Sequence, residues 1–435
     1  SGSVVVRTAM GPSFSCSPSR LIGETLPSRD AAEPLLKGLR VLELGHFIAA
    51  PFATRVLADL GADVIKVEPP GQGDPVRGWG RQVEGGSIWW SLHGRNKRCV
   101  TVDLKSDAGR DLILRLVKSC EVVVENYRPG RLDRLGLAAD VLADARPGVT
   151  IVRVSGFGQT GPKASLAGFG VIGEAQGGLR YLCAHPEHVS DLPSVRTGTS
   201  IGDSIAGLYG ALGALAAVID QRASGRTEPR ILDVALGESV LSLLEGIVPE
   251  YSFDGTVRRP AGSRLPTASP SNAYRGCDGE WVLVAANSES LFASLCELMG
   301  HPGLVSDPRF ADNPSRLANN EALDAIIGAW VEGQDTDAVV DQLEAANIPA
   351  SKIYTVVDID KDAQYAARDM LPTVNDPRLG PIKQPGVVPV VEGLDRTSQI
   401  RWAGPEVGAH NDEVFSELAG LSPDEIQSLK ERGVL

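Results

Sequence analysis

Five short apolar runs, separated by stretches with helical spacing, succeed one another up to Ser155 and leave few folds open. Leu39-Arg-Val-Leu-Glu-Leu44 ends in Gly45-His46, Ala50 to Leu60 has helical spacing, and Gly61-Ala-Asp-Val-Ile-Lys-Val-Glu68 closes on Pro69-Pro70-Gly71. Strand, helix and strand in so short a span form a βαβ unit, whose two strands must run parallel. The alternation repeats with Cys99–Leu104, a helix over Asp107–Lys118, Glu121–Glu125, a helix over Arg131–Ala145, and Val149–Ser155. The reading is an α/β, doubly wound domain with ligands outside the carboxyl ends of its strands, near His46–Pro51 and Glu68–Asp74. Gly71-Gln-Gly73 and Gly156-Phe-Gly158 fail to complete GxGxxG and no Walker sequence occurs, so a simple nicotinamide-dependent dehydrogenase is poorly supported.

After Gly225 the texture changes. Arg230–Ala235 reads as a strand, Gly255–Asn272 is rich in Pro, Gly and Ser, and Trp281–Ala285 is a further strand. Helical spacing follows from Ser288 to Met299 and from Asn320 to Ala346, broken near Gly333. The expected organisation is therefore a leader or tag over residues 1–35 and the first part of the large domain over 36–225. A smaller inserted α+β domain over 226–335 and a return segment over 336–435 complete it. That return ends in a helix capped by Ser422-Pro-Asp-Glu. The leader has no periodicity. It reads as disordered, with a transit peptide as the alternative, so the expected location is cytoplasmic, or the mitochondrial matrix if the leader targets.

A net charge of -13 argues against nucleic acid or an anionic membrane as the main partner. No apolar run is read as reaching the ~20 residues of a spanning helix. Cysteines at 16, 99, 120, 183, 277 and 296 form no CxxC and no spacing with His, the pattern of a reducing compartment with no metal site.

The chemistry-bearing stretch is Arg196-Thr-Gly-Thr-Ser-Ile-Gly-Asp203-Ser, set between a Gly-punctuated turn and a small-residue run, Ile205–Ile219, that reads as a buried helix. Asp203 there has two readings. One is an N-cap that accepts the first free amides; the other is a carboxylate nucleophile that forms covalent acyl intermediates. Four further stretches bear on the choice: Leu44–Thr54 with Leu60–Asp74, Asn96–Lys105, Glu125–Gly136, and Ser155-Gly-Phe-Gly-Gln-Thr-Gly-Pro162. In this order they resemble the family III CoA-transferases, the group of formyl-CoA transferase, carnitine CoA-transferase and 2-methylacyl-CoA racemase, from about Leu36 to His410.

The resemblance implies an interlocked homodimer that holds no permanent cofactor and takes CoA and acyl-CoA as substrates beside a small carboxylic acid. It places His46, Phe47, Ile48, Ala49, Val102, Lys105, Asn126, Tyr127, Arg128, Arg134 and Leu135 along CoA, and Asp203 as the nucleophile. Lys105, Arg128 and Arg134 bring cations suited to phosphates, and amides after Gly45 would form a strand-to-helix anion site. Amides from Gly202 to Ser204 are candidate oxyanion donors.

Two departures narrow the activity. Gly170 stands where the racemases carry an acid, and no His lies between Gly161 and Gly178, which disfavours racemisation. Gly255–Asn272 lacks the consecutive glycines of the oxalate-using enzymes, and Ile48 stands at the place of their Gln. The pattern Gly-Phe-Gly-Val-Ile-Gly-Glu174 with Ser-Ile-Gly-Asp-Ser resembles the branch that moves CoA from succinyl-CoA to malate, citramalate, itaconate, mesaconate or glutarate. Arg77, Arg95, Arg196 and Arg264 are candidates for the acceptor's distal carboxylate, and Glu174 is a polar neighbour of the site or helix surface. A 2-methylacyl-CoA racemase and a catalytically silent CoA-binding protein are the alternatives.

Overall fold

Residues 33–84 and 86–435 are described by a computed structural model; the expected leader falls, up to residue 32, outside the described residues. Six strands form one parallel sheet: β1 (Arg40–Glu43), β2 (Asp63–Glu68), β3 (Lys97–Thr101), β4 (Val122–Glu125), β5 (Thr150–Ser155) and β6 (Arg230–Ala235). Their spatial order is β3-β2-β1-β4-β5-β6, so the chain reverses direction across the sheet between β1 and β4. That reversal is where an open α/β sheet binds ligands, because loops leaving the two strands diverge and open a crevice.

Helices cover both faces. On one, α1 (Ala49–Asp59) lies against the later 24-residue helix Ile201–Ser224 through Ala50, Ala53, Leu57, Ala206, Ala211 and Ala214. The small side chains let the two backbones approach closely on the sheet. On the other face, Leu112, Ile113 and Leu116 of the helix Asp107–Val117 meet Val414, Phe415 and Ile426, so the C-terminal helices return to the large sheet. The last of these carries the expected cap: Ser422 and Glu425 form a reciprocal capping box.

A second, antiparallel sheet has its own core. Its strands β7 (Ser271–Arg275), β8 (Trp281–Ala285) and β9 (Ala350–Lys352) are covered by Phe292, Leu323, Ile327, Val339 and Leu343 from the helices between β8 and β9. Strand pairing divides the chain differently from the sequence expectation at two points. Arg230–Ala235, assigned to the small domain, is the sixth strand of the large sheet, paired along its length with β5. Ala350–Lys352, assigned to the return segment, closes the small sheet beside β8. Both assignments rested on local composition, which does not encode long-range pairing.

The helix Ile201–Ser224 also departs from expectation. It is long and apolar enough to cross a membrane by length and composition, although the sequence reading found no such run. One of its faces packs on α1 and the sheet, while Leu208, Leu212 and Ile219 are exposed. The helix expected to be buried over Ile205–Ile219 is thus buried along one face only.

Candidate active site

The site starts from the loop after β1. Gly45 sits against Ala50 and Asn126, so a Cβ there would lie 2.3 Å from the Ala50 Cβ and 2.8 Å from Asn126 Oδ1. This close approach lets the Asn126 side chain bridge the loop: it accepts from the His46 amide and donates to the His46 carbonyl, each at 2.8 Å. His46 Nε2 meets the Tyr127 hydroxyl at 2.8 Å. Burial, then the nearby Lys66, push the His46 imidazole pKa down, so the ring is neutral at pH 7. Phe47 follows in the left-handed region at φ 62°, an unfavourable place for a bulky residue. Its amide donates to Asp74 Oδ1 at 3.1 Å, which holds it there.

Asp74 belongs to a buried network under the loop. Lys66 Nζ lies 2.6 Å from Glu43 and 2.7 Å from Asp74, and donates to the Gly45 carbonyl. Lys97 Nζ lies 2.8 Å from the other oxygen of Glu43, which also accepts from Thr54. Burial opposes the charge on Lys66, yet Asp74, Glu43 and Glu68 outweigh it and hold the ammonium above its ordinary range. The Lys66-Val-Glu68 and Asp74 positions of the sequence motif are thus internal counter-ions that fix the loop's shape.

Two cavities open at the carboxyl ends, one on each side of the His46–Tyr127 pair. The outer, of about 240 Å³, is lined by His46, Val102, Lys105, Tyr127, Arg131 and Leu135, among others. The inner, of about 220 Å³, is lined by residues that include His46 to Ala49, Asn126 to Arg128, Ser155, Phe169 and Asp203. The structure thus brings together Asp203 and every residue expected along CoA except Arg134, which lines neither cavity. Arg131, with its guanidinium 5.2 Å over the Tyr127 ring, lies on the outer wall and was missed; it sits in the same Arg-rich motif. Ser155 was also missed as a site residue, although it opens the fourth motif. Its buried hydroxyl lines the inner cavity and has no bonding partner among the described residues.

Asp203 lies in the first turn of the helix Ile201–Ser224, whose N-cap is Ser200; Asp203 is therefore not the cap. Its carboxylate fills the space left by the missing side chain of Gly170. A Cβ at position 170 would stand 2.1 Å from Asp203 Oδ2. Glu174, from the same helix as Gly170 (Gly170–Gln176), is fully buried and accepts from the Gly202 amide at 3.4 Å. Its other oxygen lies 3.6 Å from Arg180, so it is a neighbour of the site and not helix surface. Burial and then Glu174 raise the Asp203 pKa to about 6, against a lowering by Arg196.

Several other expectations are corrected by the bonding. Arg77 is bidentate to Glu68, bonded to the Pro405 carbonyl and stacked 3.8 Å over the Trp90 ring. Arg95 is buried and bidentate to Asp59, and Arg264 pairs with Asp324 in the small unit at 2.6 Å. The forks of Arg77 and Arg95 are engaged in holding segments together and are not open to a substrate carboxylate, whereas Arg264 commits only its Nε and lines neither cavity. Arg196, in contrast, is exposed in the loop before Asp203. The amide of Gly202 is taken by Glu174 and that of Ser204 by the Ser200 carbonyl, so neither is a free oxyanion donor. Among the described residues no group of His, Cys, Asp and Glu could hold a metal ion.

The model of the CoA-transferase family III matches residues 36–411. The succinyl-CoA–D-citramalate CoA-transferase of Chloroflexus aurantiacus is 42% identical over 92% of this chain and 98% of its own. The alpha subunit of that organism's succinyl-CoA–L-malate CoA-transferase is 33% identical over 92% of each chain. A CAIB/BAIF family protein from Brucella suis superposes with a TM-score of 0.77 at 30% identity, over 89% of this chain and 100% of that one. Strand order, the crevice at the β1–β4 reversal and these matches agree: the chain belongs to CoA-transferase family III and is a CoA-transferase.

Proposed function

We infer that this enzyme moves CoA from succinyl-CoA to a small dicarboxylate, of the kind represented by malate and citramalate, through covalent intermediates on Asp203. The observation that carries the reading is the Asp203 carboxylate, set by the glycine gap at 170 against the inner end of the cavity lined by the β1 and β4 loops. The two relatives named for such dicarboxylates support the substrate class.

The outer cavity suits the nucleotide part of CoA, with Lys105 and Arg131 on its wall and Arg128 at the inner one. The thioester then reaches Asp203. A carboxylate oxygen attacks the thioester carbonyl, the C–S bond breaks, and CoA leaves as thiolate from an aspartyl–acyl mixed anhydride. The thiolate attacks the aspartyl carbonyl and releases the donor as its carboxylate, which leaves an aspartyl-CoA thioester. The acceptor carboxylate runs the same two steps in reverse. No proton needs to be transferred, which fits a cavity whose lining imidazole, His46, is neutral and engaged with Tyr127. The Ser155 hydroxyl and the N-terminus of α1, which has no side-chain cap, face the inner cavity and are the donors for the developing oxyanions. The exposed Leu212 and Ile219, and Phe253 at 90% exposure, favour the expected homodimer.

The test is chemical trapping. Incubation with succinyl-CoA, quenching with hydroxylamine and digestion should yield a hydroxamate on the peptide containing Asp203. Asp203→Asn should lose the hydroxamate and at least about a thousandfold of exchange activity, as removal of a covalent nucleophile does elsewhere. An unlabelled peptide together with an active Asn variant would sink the reading.

A further inference from the structure

A third cavity, of about 380 Å³, lies on the far side of Ile48 from the CoA crevice. Ile48, only 5% exposed, lines both this cavity and the inner one that holds Asp203. Ser200 and Ser204, on the same helix turn as Asp203, line the third cavity too, as do Ile88, Trp89 and Leu92. The nucleophile therefore stands at the boundary between the CoA crevice and a separate chamber with apolar walls.

Among the described residues, one cation on the chamber's wall has no carboxylate within ion-pair distance, although Asp59 favours its charge from further off. Arg55 extends from α1 into it, and its Nε is buried and without a hydrogen-bond partner among the described residues. The nearest carboxylate along its helix, Asp59, is taken by the Arg95 fork and by Asn96. The other basic residue on the wall, Lys383, bonds to Asp360. His93 also lines the chamber, and its Nδ1 is buried and unpartnered. Burial, then Arg55 and Lys97, hold its pKa down at about 3, so it is neutral at pH 7 and adds a hydrogen-bonding group and no charge. A guanidinium with unmet bonds, beside hydroxyls and an imidazole, is a site built for a carboxylate, because leaving such a cation unpaired out of water is costly.

We propose that this chamber holds the far end of the dicarboxylate, with the distal carboxylate on Arg55 and the carbon chain passing Ile48 to bring the reacting carboxylate to Asp203. The inference rests on the dicarboxylate reading above and assigns the specificity residue that the sequence sought among Arg77, Arg95, Arg196 and Arg264. It also gives Ile48 a part: an apolar side chain at the boundary suits methylenes, whereas an amide there would suit a second carboxylate held close to the nucleophile.

The test pairs acyl groups of equal length with and without the distal charge. Wild-type enzyme is given succinyl-CoA or butyryl-CoA, and hydroxamate on the Asp203 peptide is measured alongside steady-state kinetics with succinate or butyrate as acceptor. The expected wild-type preference for the dicarboxylate is about a hundredfold in kcat/KM, and Arg55→Leu should erase it while the KM for the butyryl-CoA donor stays put. Arg55→Lys, which keeps charge but not the fork, should fall between. Wild type that uses both acyl groups equally, or a folded Arg55→Leu variant that keeps the preference, overturns the proposal and leaves transfer through Asp203 standing. Absence of hydroxamate from either donor in wild type removes the dicarboxylate-transfer reading itself, and the Arg55 assignment with it.

Discussion

Lys66 lies under the loop that borders the CoA crevice and Arg55 lines the chamber beyond Ile48, and the contrast between their surroundings distinguishes a structural cation from one free to bind. Lys66 is wholly buried and meets Glu43, Asp74 and the Gly45 carbonyl. Arg55 is largely shielded yet borders a chamber and finds no carboxylate within bonding distance. A compensated charge supports the loop that shapes the CoA crevice. An uncompensated one keeps its bonding capacity for something that arrives later. Burial alone does not distinguish them; the inventory of partners does.

Removal of each cation should therefore have opposite effects on stability, and Lys66 gives the larger. Lys66→Met leaves Glu43 and Asp74 buried beside too little positive charge, which costs about 3–5 kcal/mol. It also frees Asp74, so Phe47 loses a firm hold on its left-handed backbone. The midpoint of chemical denaturation should fall accordingly. Arg55→Leu removes a buried charge that no carboxylate among the described residues bonds, and whose burial outweighs the more distant Asp59, so its midpoint should match or exceed wild type. Equal losses in the two variants would erase the distinction.

The parallel sheet was legible because period and length identify its strands: β1 to β5 read directly as apolar runs between helices. The site was legible in part for a different reason. His46 to Ala49 follow β1, where the rule about carboxyl ends placed a ligand, whereas Asn126 to Arg128, after β4 on the other side of the chain reversal, were named only through the family resemblance. What stayed hidden depends on pairing. Arg77, Arg95 and Arg264 looked available because sequence shows a cation in a loop and not the Glu68, Asp59 or Asp324 that meets it. Arg55 was not singled out at all, since nothing local says that Asp59, four positions on, is occupied by Arg95. The strand Arg230–Ala235 was assigned to the wrong sheet for the same reason. Its partner, β5, is too distant in sequence for local patterning to reveal.

The comparison sharpens within the site at Gly170, where an absent side chain and a charged one share the same space. Gly170→Ala is compatible with a helix start, so the fold should tolerate it. Its Cβ would nonetheless meet Asp203 Oδ2 at 2.1 Å, and the carboxylate must rotate or shift. A displacement of this order costs about a hundredfold in rate when the group is the nucleophile. The expected result is a fall in kcat with little change in the KM for acyl-CoA, since Gly170 is remote from the outer cavity. A variant with wild-type kcat would mean that the carboxylate works from another position.

Asp203 itself offers the smallest effect and the one whose direction is most diagnostic. Its pKa in the folded protein, about 6, lies above that of a free aspartate, so between these values the native state binds more protons than the unfolded chain. Stability contributed by this group therefore declines as pH rises from about 4 to about 6, and above that the carboxylate is a net cost of about 3 kcal/mol. Asp203→Asn should remove the cost: the variant should be more stable than wild type at pH 7.5, with the gain fading as pH falls toward 4. Activity should run the opposite way in wild type, with kcat/KM rising through pH 6 as the proposed nucleophile ionises. The paired carboxylates of the Lys66 network have lowered pKa values and should lose their stabilising contribution only as acid protonates them. A pH titration of wild type against Asp203→Asn thus separates the two kinds of buried charge by sign: acid relieves Asp203 and undoes the Lys66 network.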